Sequence, residues 1–123
     1  MTHLSEGMWA LLALRISQLN GCGVGVYGHS QAAKRAGETE ERLILLAAWR
    51  DAPFFTDAER AALGLAEWIT LSSSSPAARG GAVPGRVLAA ATRHFALSDV
   101  VTLLLVIVAV NLTDRAATRN WIN

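Results

Sequence analysis

Apolar residues recur along this chain at the period of an α-helix and nowhere at the period of a strand. Leu4, Met8, Leu12, Ile16 and Leu19 follow one another at intervals of four, four, four and three, which places them on one helical face. A first helix is therefore expected over about Leu4–Leu19. Asn20, Gly21, Gly23, Gly25 and Gly28 then crowd nine residues. Glycine inside a helix costs ~1 kcal/mol, so a segment carrying this many needs a turn, a close backbone approach or room for a ligand. A second helix is expected to start near Cys22 or Gly23 and to end at Ala36, with Gly37 as its C′ glycine.

The same reading continues downstream. Thr39 caps a third helix to Trp49, with Glu40 and Glu41 in the first turn where the helix dipole favours them. Pro53 breaks the chain, and Thr56-Asp57-Ala58-Glu59 forms a capping box opening a fourth helix. Its apolar stripe, Ala58, Ala61, Leu65 and Trp68, ends near Thr70. Residues 71–82, rich in serine and glycine, read as a mobile loop. Pro84 suits the first turn of a fifth helix reaching Phe95, and Ser98 the cap of a sixth over Asp99–Arg119. The expected fold is an all-α bundle of about six helices in one domain, residues 1–123.

Composition narrows the function classes. Of the 123 residues 52% are hydrophobic and 17% charged, too apolar for disorder and sparse in charge for a monomer surface. So short a chain leaves much of its surface exposed, and part of its apolar content is expected in a subunit interface. The net charge of +1 carries no Lys/Arg cluster, so the charges read as a solvated surface and no nucleic acid is expected. One cysteine, Cys22, excludes an intramolecular disulfide. Met1–Gly7 is short and polar, unlike a signal peptide. The most apolar stretch, Val100–Leu112, falls short of the ~20 residues of a spanning helix. A cytoplasmic protein with a buried apolar helix, and no membrane partner, is expected. No pair among His3, His29, His94 and Cys22 has metal-ligand spacing, so neither metal nor other cofactor is expected, and His3 and His94 read as surface residues.

Chemistry concentrates in Ser17–Ser30. If the second helix begins near Cys22, then Cys22, Gly25, Val26, His29 and Ala33 share a face. Cys22 would sit at the helix N-terminus, where unpaired N–H groups stabilise a thiolate. His29 lies seven residues on, a rise of ~10 Å, too far to deprotonate Cys22. Position 25, one turn before His29, is within side-chain reach of it, and holds glycine.

These residues carry a family resemblance. Arg15-x-Ser17-Gln18-x-Asn20-Gly21-Cys22 followed by His29, Lys34-x-Ala36-Gly37-Glu38-Thr39-Glu40-x-Arg42-Leu43, Ala47-Ala48-Trp49-Arg50, and Pro53-Phe54-Phe55-Thr56-x-x-Glu59-Arg60-Ala61-Ala62-Leu63, with Asn111 and Arg115, resemble the alkylhydroperoxidase D / carboxymuconolactone decarboxylase superfamily. The resemblance runs from about Trp9 onward and implies a six-helix fold assembling into homo-oligomers, often trimers or multiples of three. In its redox members the motif is Cys-x-x-Cys-x-x-x-His: the second cysteine attacks, the histidine is its base, the first cysteine resolves, and a glutamate one helix earlier completes the relay. Cys22 matches the resolving cysteine and His29 the histidine. Gly25 stands at the nucleophile, and Ala10 at the glutamate.

Three readings follow. The first is a non-redox enzyme on a small organic molecule, as in the decarboxylase branch, with His29 as general acid/base for decarboxylation, elimination, isomerisation or cyclisation. Catalytic candidates are then His29, Cys22, Tyr27 and, as a replacement carboxylate, Glu6. Gly25, Gln18, Asn111 and Trp49 are the candidate substrate pocket, with Gly25 and Gly28 read as space cleared for a ligand or as degeneration. The second is a single-cysteine thiol oxidoreductase through Cys22 and an external thiol. The third is a non-catalytic member that binds a ligand or partner, with a fully packed second-helix pocket and His29 bonded to backbone. Each residue also has a structural reading: Cys22 as an inert buried thiol, Tyr27 as a surface or interface aromatic, Trp9, Trp49 and Trp68 as core anchors, and Asn111 as a polar group that must find a partner if buried.

Overall fold

A computed structural model describes residues 3–74 and 83–122. They form six α-helices and no strand among the described residues: α1 (Glu6–Asn20), α2 (Gly23–Arg35), α3 (Glu40–Leu45) running into a 3-10 turn (Leu46–Ala48), α4 (Asp57–Ser74), α5 (Gly85–His94) and α6 (Leu97–Ile122). The expected all-α bundle is what forms. Its boundaries differ in physical detail. Ser5 caps α1 by accepting from Met8 N at 3.1 Å, so the helix starts later than Leu4. The third helix is shorter, tightening to 3-10 geometry at Leu46. Helix α4 runs to Ser74, so residues 71–74 of the expected loop are helical; residues 75–82 of that loop lie outside the described part. Helix α6 begins at Leu97, and Ser98 lies inside it rather than capping it.

Helix α1 is the central element. Met8, Leu11, Leu12, Ala13, Leu14 and Ile16 are all buried, on every side rather than along one stripe. The reason is that α2, α4 and α6 all pack on it. The core continues through Leu46, Leu63, Leu65, Phe95, Leu103 and Ile107. Removing one such side chain to alanine costs about 2–5 kcal/mol.

The α1–α2 hairpin turns on one left-handed residue. Gly21, at φ 66, ends α1. Its N–H donates to Gln18 O at 3.2 Å and Cys22 N donates to Ser17 O at 3.0 Å, a Schellman arrangement. Gly37, at φ 88, ends α2 the same way, with Gly37 N donating to Lys34 O and Glu38 N to Ala33 O. The expected C′ glycine is thus in place, and both turns need a residue free to take positive φ.

The apolar character of α6 extends over Leu97–Ala117, 21 residues, so length alone no longer separates it from a spanning helix. Its bonding does. Asn111 and Asp114 are 5% and 3% exposed, turned into the bundle toward α1 and α4. The opposite face stays apolar and open, with Leu97, Val101, Leu105, Val108 and Leu112 exposed at helical spacing.

Two ionic joints tie the 3-10 turn and its loop to the helices. Glu67 of α4 is 6% exposed. Its Oε2 accepts from Arg15 Nε at 2.8 Å and Trp49 Nε1 at 2.6 Å, and its Oε1 from Arg50 Nη1 at 2.6 Å. Arg42 donates to Glu38 and Glu59 and to the Phe54 carbonyl, and stacks over Phe55. Glu59 and Thr56 form the expected capping box. Burial alone would push the Glu67 and Glu59 carboxyls up. Hydrogen bonds from Arg50, Trp49 and Arg15 in the first case, and from Arg42 and Thr56 in the second, outweigh it and hold both below the usual carboxylate value of 4.5. Arg42 is in turn held above the ordinary arginine range by its bond to Glu59, against the opposing effect of burial.

A carboxyl depressed by folding contributes stability that is present above its unfolded value and lost as pH falls through its folded value. Stability is therefore expected to fall progressively below about pH 4.5. Urea midpoints measured between pH 6 and pH 3 will show this slope. Glu67→Gln should be less stable than the parent at pH 6 and show a shallower decline toward pH 3.

Candidate functional site

The hairpin places Cys22 at the N-cap of α2. Its backbone is extended, at φ −88 and ψ 101, and its Sγ accepts from Gly25 N at 3.4 Å. The thiol therefore faces free N–H groups at the helix N-terminus, as the sequence implied. It is also sealed, at 3% exposure. Between Cys22 and His29 there is no hydrogen bond, and His29, half-buried in the middle of α2, makes no side-chain bond or ion pair among the described residues. The helix runs unbroken between them. The backbone hydrogen bond expected of a non-catalytic His29 is absent as well.

Position 25 does not offer the cleared space expected of it. A Cβ built on Gly25 would fall 2.7 Å from Asp114 Oδ1 and 2.9 Å from Ser17 Cβ, and nearer still to Ser17 Oγ. Atoms at such separations overlap, so glycine here marks a close approach of backbone to two buried polar side chains. At Gly28, by contrast, a Cβ would meet nothing within 4 Å, because that residue faces outward.

The groups against Gly25 belong to a network joining α1, α2, α4 and α6. Ser17 Oγ donates to Asp114, 3.0 Å from each carboxylate oxygen. Asn20 Nδ2 donates to Asp114 Oδ2 and to Asn111 Oδ1, both at 3.0 Å. Asn111 Nδ2 passes the chain on to Thr70 Oγ1 at 3.1 Å and Ile107 O at 2.9 Å. Among the described residues Asp114 accepts from neutral donors, Ser17 and Asn20, and the first turn of α2 brings the positive end of its dipole to the same place. Asn111 has the partner that its burial demanded.

The remaining candidates separate. Tyr27 is 70% exposed, on the outer face of α2 with Val24. Glu6 is exposed in the first turn of α1. Its neighbour Gly7 lies against Glu38, beyond the end of α2, so Glu6 stands at the opposite end of the hairpin from Cys22. Gln18 accepts from Arg15 Nη1 at 3.1 Å. Trp49 is buried behind Glu67 as a core anchor. The structure thus brings Cys22 and Gly25 together with Asn111 through Ser17 and Asp114, but not Glu6, Tyr27 or Trp49. Among the described residues no group of three acidic, histidine or cysteine side chains is placed to hold a metal. Sequence reasoning missed Asp114, although Asn111-x-x-Asp114 sets two polar groups on one turn of an otherwise apolar helix. It also missed Glu67, for which the sequence carries no comparable signal.

Comparison with known proteins agrees with this architecture. The model of the carboxymuconolactone decarboxylase family matches residues 2–68. The chain is 35% identical over 105 residues to the uncharacterized protein YdfG of Bacillus subtilis strain 168, spanning 85% of this chain and 67% of that protein. It is also similar to a solved structure from Agrobacterium tumefaciens, described as a protein of unknown function and candidate antioxidant defence protein AhpD. That likeness has a TM-score of 0.80 at 29% identity and covers 90% of this chain and 72% of the other.

Substitution tests the packing directly. Gly25→Ala should destabilise the fold by about 1–3 kcal/mol, the usual range for overpacking. Gly28→Ala should be neutral or stabilise it by up to ~1 kcal/mol through helix propensity. Denaturant unfolding of the two variants side by side measures the contrast.

Proposed function

Because this chain belongs to the carboxymuconolactone decarboxylase family, we propose that it is a soluble, cytoplasmic, non-redox member of it, acting on a small organic molecule with His29 as the acid/base group. The observation that carries this reading is the contact of Gly25 with Ser17 and Asp114. A dithiol cycle needs an attacking thiolate and a partner thiol. Side-chain atoms of other helices fill the place of the first, and Cys22 is enclosed. His29 remains half-buried and unengaged on α2. An imidazole with no side-chain partner among the described residues can exchange protons with a substrate. It accepts a proton as a C–H or O–H bond breaks and returns it to a neighbouring atom. No electrons leave the substrate, and no external thiol is consumed.

A second reading, a member that binds without catalysis, is favoured by the same close packing at position 25. The two separate in one experiment. The full chain is incubated in deuterated buffer with a panel of small keto acids and lactones, followed by NMR. Catalysis predicts deuterium incorporation or product formation that His29→Ala loses and Cys22→Ser keeps. No turnover of any member favours binding alone. Thiol-dependent reduction of an organic hydroperoxide, lost in Cys22→Ser, would sink both.

We also propose that the chain works as a homo-oligomer, a trimer or a multiple of three, with the exposed stripe of α6 facing a second copy. Leu97, Val101, Leu105, Val108 and Leu112 present a continuous apolar row to solvent, and apolar patches of this kind mark association surfaces in soluble proteins. Light scattering should give a mass above the 13.1 kDa of one chain, falling to that value in Leu105→Glu/Leu112→Glu.

A further inference from the structure

Helices α2 and α4 both pack on α1. On the α4 side, away from the hairpin, a cleft of about 420 Å³ opens between α4 and α5. Its lining includes Arg50, Gly64, Glu67, Trp68, Arg86 and Val87. The volume is within the range of small-molecule sites, about 300–1,000 Å³. Neither the hairpin chemistry nor the α6 stripe uses it.

We propose that this cleft binds a small organic carboxylate with a flat apolar body. Charge is the first reason. The negative charge of Glu67 is already met, since its two oxygens accept from Arg15, Trp49 and Arg50. Arg86 takes no ion pair among the described residues. Arg50 points only Nη1 at Glu67, and its side chain is 63% exposed, leaving other N–H groups of its fork to the cleft. Two guanidiniums on one cleft, with a third behind the carboxylate, leave net positive charge where an anion can enter. Preorganisation is the second reason. Arg50 stacks on the Trp49 ring, 4.3 Å from its centroid, while Glu67 holds its end. A fork held flat in this way loses little freedom on pairing with a carboxylate in two-point geometry. Shape is the third. Trp68 and Val87 give apolar walls, and Gly64 leaves the floor open: a Cβ there would meet only the Trp49 ring edge, at 3.9 Å. Phosphate would gain from the charge but nothing from these walls.

The test is calorimetric titration of the full chain with sodium benzoate, and separately with inorganic phosphate, at matched ionic strength. Saturable binding of one benzoate per chain is expected, with phosphate giving no saturable heat. Arg86→Gln, at an exposed position, should weaken benzoate at least tenfold. Gly64→Leu should abolish binding by filling the floor, and its helical circular dichroism should be unchanged because leucine is the better helix former. His29→Ala should leave benzoate affinity unchanged, which keeps this outcome separate from that of the hairpin reading. Absence of saturable benzoate binding, equal affinity for phosphate, or unchanged affinity in both cleft variants would each overturn the proposal.

Discussion

The contact between the Gly25 backbone and the Ser17–Asp114 pair sets how three helices meet. A side chain at position 25 would hold α2 away from α1 and α6. With glycine there, Ser17 and Asn20 on α1 reach Asp114 and Asn111 on α6, and Asn111 reaches Thr70 on α4. A buried polar chain of this kind is costly if any member is left unpaired and rigid when all are paired. Position 25, which the family resemblance aligns with an attacking cysteine, is here a joint between helices, and the volume a side chain would take there is occupied.

Helix α1 transmits that joint to the rest of the molecule. Ser17 and Asn20 face α6, while Arg15, on the turn before, faces α4 through Glu67. Glu67 is bound in turn to Trp49 and Arg50 beside the 3-10 turn. Arg60 donates to the Arg50, Ala52 and Phe55 carbonyls and so holds the connecting loop in shape. The floor of the α4–α5 cleft is thus a rigid part of the bundle, tied by three donors to one carboxylate.

The local features of the fold were readable because they are written in short spacings. The glycines at 21 and 37 end helices at positive φ, Thr39 and Thr56 cap, and the capping box closes as Thr-x-x-Glu predicts. Helix ends governed by tertiary contact were read less well: α4 continues through serines that disfavour it, and α6 starts before its expected cap. At the site, the placement of Cys22 at a helix N-terminus was legible from the glycines around it. The filling of position 25 was not. It depends on Asp114, 89 residues away in sequence, and an empty Cβ position looks the same in a sequence whether space or another side chain stands beside it. The same limit applies to Glu67, whose three donors come from two separate segments.

Asn111 and Asp114 also answer a question that hydrophobicity leaves open. Helix α6 is apolar almost all round, so burial of area alone scarcely distinguishes one roll of the helix from another. Rotating it to bury Leu105 and Leu112 would remove comparable apolar surface from water, at about 25 cal/mol per Å² either way. The polar pair breaks the tie. Any roll that turned Asp114 from Ser17 and Asn20 would leave those two donors without their partner, at about 1–3 kcal/mol for each orphaned group. The network therefore fixes which face of α6 is inside, and by the same constraint fixes the leucine and valine row outside. Polar groups that contribute little net stability thus decide where this exposed apolar row lies.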